Sequence, residues 1–150
     1  MRVTAESELA GFIAKFTPRM QSLIRGCRTR LEDRFPDAVQ LIYDNYNFLV
    51  IGFGPTERAS EAILSLAAHA RGVNLCFLQH GPRLPDPTSI LRGNGKVVRN
   101  VRLNSPDDLE RADVSALIDA ALRLADRPMD ESAGPDVIIK SVSAKQRPRR

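Results

Sequence analysis

The stretch AVQLIYDNYNFLVIGF, residues 38–53, decides the fold, because here the hydrophobic pattern takes a period of two. AVQLIY and FLVIGF each alternate like strands, and the polar DNYN between them is typical of a hairpin turn. With Asn45 and Tyr46 at the tip, we expect Tyr43 opposite Phe48 and Gln40 opposite Ile51. Both faces of this pair are largely apolar, which predicts two interior strands.

A second hairpin follows in AILSLAAHA (62–70) and VNLCFLQ (73–79), joined by Arg71-Gly72. A two-residue turn there places Ala68 opposite Leu75 on a strictly apolar face. The other face is mixed and carries Ser65, Ala67 and His69. This combination predicts two antiparallel strands of a sheet that is covered on one side.

Helical spacing of apolar residues predicts a helix over 5–16 and a second from Thr17-Pro18 to about Arg34. Gly26 lies in the middle of the second helix, which indicates close packing against a neighbour. VVRNVRL (97–103) predicts a further strand, and Ser105-Pro106 opens a last long helix. The prediction is an α+β fold: an antiparallel sheet of about five strands packed by two N-terminal helices and one C-terminal helix.

The chain of 150 residues suits one domain, which we place at residues 1–126. Residues 127–150 are predicted to be a linker, a segment of strand propensity at 137–143 and a basic disordered tail. The sequence leaves open whether 137–143 adds an edge strand or lies along the body. Residues 127–150 hold six Lys/Arg and three acids, so they carry +3 of the net charge of +4. The tail could contact nucleic-acid phosphates weakly through Arg147, Arg149 and Arg150. A dedicated nucleic-acid-binding role is not favoured, because the body is nearly neutral.

Several other classes of protein are not favoured. No apolar run approaches the roughly 18–20 residues of a membrane span, and the N-terminus has no apolar signal core, which predicts a cytoplasmic protein. Gly93-Asn94-Gly95-Lys96 lacks the spacing of a phosphate loop and is predicted to be a turn. Cys76 and His80 would be about 13 Å apart along a strand, too far to share a metal ion. We therefore predict no catalytic residue, no metal ligand and no cofactor.

One group of residues points to binding. If the helices cover the apolar face, the opposite face collects six polar side chains, and these could bind a small anion or a carboxylate. They are Gln40, Ser65, His69, Asn74, Asn100 and Arg102. Arg99 is a further candidate, although its parity places it with Val97 and Val101 on the apolar side, where it needs a partner, a snorkelling path or a bulge.

The order of elements resembles the YdhG-like family, a bacterial domain of largely unknown function with some frataxin-like iron-chaperone members. The resemblance covers roughly residues 9–125. It is carried by FPDAVQLIYDNYNFLVIGF (35–53), EAILSLAAHARGVNLCFLQHG (61–81), LPDPTSILRGNGKVVRNVRL (84–103) and DDLERADVSALIDAAL (107–122). It implies an α+β domain, and it implies iron as an alternative ligand. The first two helices carry no acidic ridge, so iron binding is not the leading hypothesis.

The leading hypothesis is a non-enzymatic cytoplasmic module that binds a small anionic ligand or a protein segment on the uncovered sheet face. An iron chaperone is the first alternative, and weak nucleic-acid association through the tail is the second. A homodimer is left open.

Overall fold

The computed structural model describes residues 2–132 and 134–150, and it confirms the predicted α+β fold class. Within these residues the helices are α1 Arg2–Ala14, α2 Pro18–Arg34 and α3 Ala112–Leu124. The strands are β1 Val39–Asp44, β2 Leu49–Gly54, β3 Leu64–His69, β4 Gly72–Phe77, β5 Arg99–Leu103 and β6 Asp136–Val142.

The strands form one mixed sheet in the order β5-β4-β3-β2-β1-β6. β1 to β5 pair antiparallel with their neighbours, whereas β6 pairs parallel with β1. The expectation of about five antiparallel strands is therefore corrected to six strands in a mixed sheet. Because β5 and β6 lie at opposite edges, the connection that contains α3 crosses the sheet and brings the last strand in beside β1, parallel to it.

Both hairpins differ from their predicted registers by two residues. Gln40 lies opposite Phe53 because the β1–β2 loop has four residues, 45–48, closed by the Asn45 amide donating to the Phe48 carbonyl at 2.9 Å. In the β3–β4 hairpin the turn is at Ala70-Arg71, and His69 lies opposite Gly72. A shift of two residues leaves each side chain on the same face of its own hairpin, since successive residues of a strand alternate between faces.

The helices cover one face of the sheet. Alternate residues of the strands join helix residues in a single buried cluster, which includes Leu9, Ile24 and Leu117 from the helices and Ile42, Ile51, Leu66, Leu75 and Val101 from the strands. The side chains of the other face, such as Leu41 and Ala67, lie outside this cluster. We call this second side of the sheet the outer face.

The predicted helix start at Thr17 is confirmed, whereas Ser105 does not begin the long helix. The Thr17 hydroxyl accepts a hydrogen bond from the Met20 amide at 3.3 Å, with Pro18 beginning the helix. Ser105 caps a short 3-10 turn over 106–110 instead of the long helix. Arg111, with an extended ψ of 141°, separates this turn from α3.

The C-terminal segment differs from the predicted disordered tail. Residues 136–142 form edge strand β6, and the residues that follow it pack against the β1–β2 loop. Among the described residues, no helix combines the length and apolarity needed to cross a membrane.

Candidate anion-binding cleft

Strand register places five of the predicted site residues on the outer face. Asn74 lies opposite Arg102, and Asn100 lies opposite Cys76, which in turn pairs with Ser65. His69 shares the face of Ser65 because it is four residues farther along the same strand.

Gln40 was predicted on that face, and the prediction is wrong. Its side chain lies under the helices, where its Oε1 accepts a hydrogen bond from Arg28 at 2.8 Å and its Nε2 donates to Glu32 at 2.8 Å. The amide is 3% exposed, and these two bonds satisfy it in the core. Pairing within the first hairpin fixed which residues share a face, but not which of the two faces the helices cover.

Arg99 also lies apart from the other candidates. Its partner across the strands is Phe77 on the covered face, and its guanidinium leaves that face by donating to the carbonyls of Gly95 and Val98, the latter at 3.0 Å. Arg99 therefore supports the loop before β5 and does not join Asn74, Asn100 and Arg102.

Two of the outer-face residues are committed to local contacts. Asn100 donates from its side chain to the Arg92 carbonyl at 3.4 Å, and Arg102 donates from Nη1 to the Arg71 carbonyl at 3.2 Å. Arg102 reaches that carbonyl by crossing directly over Gly72, where any Cβ would overlap its guanidinium. The glycine thereby allows Arg102 to hold the turn that presents Arg71.

A cavity lies beside that turn. It has a volume of about 540 Å³ and is bounded by the β1–β2 loop, the β3–β4 turn and the C-terminal segment. Three arginines, two aromatic rings and an imidazole line it: Arg71, Arg147, Arg150, Tyr46, Phe48 and His69. We call this cavity the cleft.

The C-terminal segment forms one wall of the cleft through backbone and side-chain bonds. The Ser143 amide donates to the Asp44 carbonyl and the Arg147 amide donates to the Tyr46 carbonyl, each at 2.9 Å. Gln146 adds a side-chain bond to the Asp44 carbonyl at 2.8 Å. These bonds place Arg147 beside Tyr46, with its guanidinium 5.7 Å from the ring centroid.

A buried ion pair fixes the end of this wall. Arg149 is 4% exposed and donates from Nη2 to Oδ1 of Asp44 at 3.0 Å, while Lys15 binds Oδ2 of the same carboxylate at 2.6 Å. Burial raises the pKa of Asp44, but the hydrogen bonds from Lys15, Gln146 and Arg149 outweigh it, and the net result is a pKa below the ordinary value. The carboxylate is thus held ionised. Lys15 and Arg149 balance its charge, so it does not offset the charge of the arginines in the cleft.

The three arginines of the cleft have no carboxylate partner among the described residues. Arg150 donates to the carbonyls of Lys15 and Ala14 at the end of α1, at 3.1 and 3.4 Å. No acidic residue lines the cavity. The side chains that line the cleft therefore carry a net positive charge.

His69 lies at the edge of the cleft with one ring nitrogen already hydrogen-bonded. Its Nδ1 accepts a hydrogen bond from the Arg71 amide at 3.1 Å, and its ring meets Phe48 edge-on at 5.7 Å between centroids. Burial, then Arg102 and Arg71, lower the pKa of His69. Because Nδ1 is an acceptor, the neutral ring carries its proton on Nε2, which can donate to a ligand.

Metal ligands are not assembled in the described residues, where no three His, Cys, Asp or Glu side chains form a group that could hold an ion. Cys27 and Cys76 are both free thiols, and burial is the main cause that raises the pKa of each.

Comparisons with protein-family models, with curated proteins and with solved structures found no match to this chain. The geometry of the cleft therefore carries the functional inference, and the resemblance to the YdhG-like family stays a prediction.

Sequence reasoning found His69 and the turn that holds Arg71, but it missed the cleft. Arg147 and Arg150 were assigned to a disordered tail, and Tyr46 was treated only as part of a turn. One usable signal was present: Asp44 ends an apolar strand, and a carboxylate buried there needs a cation.

Proposed function

We propose that this protein is a non-enzymatic binding module that takes a small anionic ligand in the cleft between its hairpin turns and its C-terminal segment. The observation that carries the proposal is the convergence of Arg71, Arg147 and Arg150, without an acidic residue, on one cavity of about 540 Å³. The proposal keeps the predicted class of ligand and moves its site from the sheet face to the end of the sheet.

Electrostatics favour an anion in this position. Guanidinium groups repel each other when they share a cavity, and a phosphate or carboxylate that bridges them replaces this repulsion with attraction. Planar guanidinium groups also match such anions with paired N–H donors. His69 adds a neutral Nε2 donor at the rim, which suits an oxygen acceptor.

A binding role is proposed over a catalytic one because arginines dominate the polar lining of the cleft, and a guanidinium donates hydrogen bonds without giving up its proton. The imidazole of His69 is engaged by a backbone amide through Nδ1, the atom that would otherwise accept a proton. A lowered pKa leaves the ring neutral at neutral pH, so it holds no second proton to give to a substrate.

Isothermal titration calorimetry with inorganic phosphate at low salt tests the proposal. We expect saturable binding in the millimolar range, weakened at least tenfold in the double variant Arg71→Gln/Arg147→Gln, because each charge-assisted hydrogen bond contributes about 1.5–3 kcal/mol. Arg83→Gln is the matched control, since Arg83 is exposed and lies away from the cleft. Absence of saturable binding, or equal loss in the control, would contradict the proposal.

The alternatives receive less support. Arg149, one of three arginines expected to contact nucleic acid, is buried against Asp44 and cannot reach a phosphate backbone. Iron handling has no grouped ligands in the described residues to support it.

A further inference from the structure

Tyr46 is the exposed aromatic residue of this molecule. The chain has six Phe and two Tyr, and of these eight side chains only Tyr46 is largely exposed, at 47%. It lies in the β1–β2 loop and contributes to no core. An aromatic ring left at the surface and inside a cleft is available to stack with a ligand.

Cationic and aromatic groups alternate around the same cavity. Arg147 lies over the Tyr46 ring, and His69 lies against Phe48. Guanidinium planes and aromatic faces both stack on flat rings, and their combination with positive charge is the pattern that holds single nucleotides in nucleic-acid-binding proteins. The cavity volume lies in the range of about 300–1,000 Å³ for small-molecule sites, so it has room for more than a bare anion.

We propose that the ligand is a phosphate monoester attached to a planar ring, the chemistry of a nucleotide, with the phosphate bound by the arginines and the ring stacked at Tyr46 and Arg147. This rests on the proposed anion site and adds the class of its ligand. Arg71, Arg147 and Arg150 bind the phosphate, and Arg147, which lies over the Tyr46 ring, also borders the stacked ring of the ligand. A free mononucleotide and the 5′-phosphorylated end of a single strand share this chemistry.

Calorimetry with three probes tests the ring separately from the phosphate. Adenosine 5′-monophosphate should bind about 5- to 150-fold more tightly than ribose 5-phosphate, the gain expected from stacking one base. Tyr46→Leu should remove this advantage, so that the two organic phosphates bind with equal affinity, whereas Tyr46→Phe should keep it. Inorganic phosphate gives the baseline.

The outcomes separate the two proposals. Equal affinity for the two organic phosphates, or an advantage that survives Tyr46→Leu, would overturn the ring proposal while arginine-dependent phosphate binding still supports the anion site. No binding of any probe would overturn both. Tyr46 is exposed, so its replacement leaves the core intact, and thermal unfolding of the variant checks this.

A 5′-phosphorylated pentanucleotide distinguishes the two sources of the ligand. Tighter binding than the mononucleotide, lost when the 5′-phosphate is removed, would assign the cleft to strand ends. Equal or weaker binding would assign it to free nucleotides.

Discussion

Asp44 and Arg149 link the first hairpin to the end of the chain. Asp44 is 0% exposed, and removing a carboxylate from water is costly unless cations and hydrogen bonds replace the solvent. Lys15 and Arg149 do so here. Since the folded state lowers the pKa of Asp44, its carboxylate contributes stability above the unfolded pKa, and this is lost as the pH falls through the folded pKa.

Arg149→Met tests the stabilising role of this ion pair. We expect the free energy of unfolding to fall by about 2 kcal/mol, less than the 3–5 kcal/mol typical of a broken buried pair, because Lys15 still neutralises Asp44. Urea denaturation measures the change. Arg83→Met is the control. If Arg149→Met lowers the free energy of unfolding no more than Arg83→Met does, the Asp44–Arg149 ion pair does not hold the C-terminal segment in place.

His69 reports directly on the charge in the cleft. We expect its imidazole to titrate below the ordinary pKa of about 6.5 in the free protein, because burial and the neighbouring Arg102 and Arg71 disfavour the charged ring. A bound anion favours the charged ring, so saturating phosphate should raise the pKa of His69.

NMR titration of the imidazole resonances measures the pKa of His69 in the free protein and with saturating phosphate. His80 is an internal control, since it lies beyond the other end of β4 and hydrogen-bonds Asp126 at 2.8 Å. A pKa of His69 that does not change with phosphate, or phosphate-induced shifts of equal size at His80, would argue against binding in the cleft.

At the scale of elements, the C-terminal segment supplies two of the three arginines of the cleft. Deleting residues 144–150 should leave the sheet in place, because β6 ends at Val142, but should weaken phosphate binding at least tenfold. Calorimetry measures the affinity, and circular dichroism checks the fold. The full chain with Arg147→Gln and Arg150→Gln should lose as much affinity, and full affinity in either variant would exclude the segment from the site.

Helix α2 packs closely on the turn before α3 at Gly26. A Cβ at this position would lie 2.5 Å from Cγ of Pro106, and a proline ring cannot rotate away. Close packing predicted from the sequence at Gly26 is therefore confirmed. Gly11 in α1 is the matched case, since a Cβ there would meet nothing within 4 Å.

The two glycines should respond in opposite directions to alanine. Gly11→Ala should raise the free energy of unfolding by about 0.5–1 kcal/mol through helix propensity. Gly26→Ala should lower it by about 1 kcal/mol, because overpacking against Pro106 exceeds the propensity gain. Thermal or urea unfolding compares them, and a similar stabilisation of both would contradict this packing.

At the scale of the whole molecule, the sequence predicted local elements better than it predicted the pairing of distant strands. The period of two in residues 38–53 and the turn signal near Arg71 were sufficient for four neighbouring strands, although both registers were wrong by two residues. They could not predict that β6 pairs parallel with β1, because this pairing depends on the path of the connection that crosses the sheet between β5 and β6. Gln40 was misplaced because strand parity is relative until the position of the helices is known.

The cleft was beyond sequence reasoning for the same reason. Asp44 and Arg149 are 105 residues apart, and nothing local in the basic tail distinguishes the buried Arg149 from the cleft-lining Arg147 and Arg150. Composition indicated only that positive charge was concentrated near residue 150. In the folded chain, Arg147 and Arg150 line the cleft beside Tyr46.

The most direct test of the anion cleft is a two-dimensional ¹H–¹⁵N NMR titration of the whole chain with inorganic phosphate. We predict saturable shifts concentrated at residues 46–48, 69–71 and 147–150, with no comparable change in the loop around Arg83. Shifts that do not saturate, or that are centred outside these three segments, would contradict an anion site at this end of the sheet.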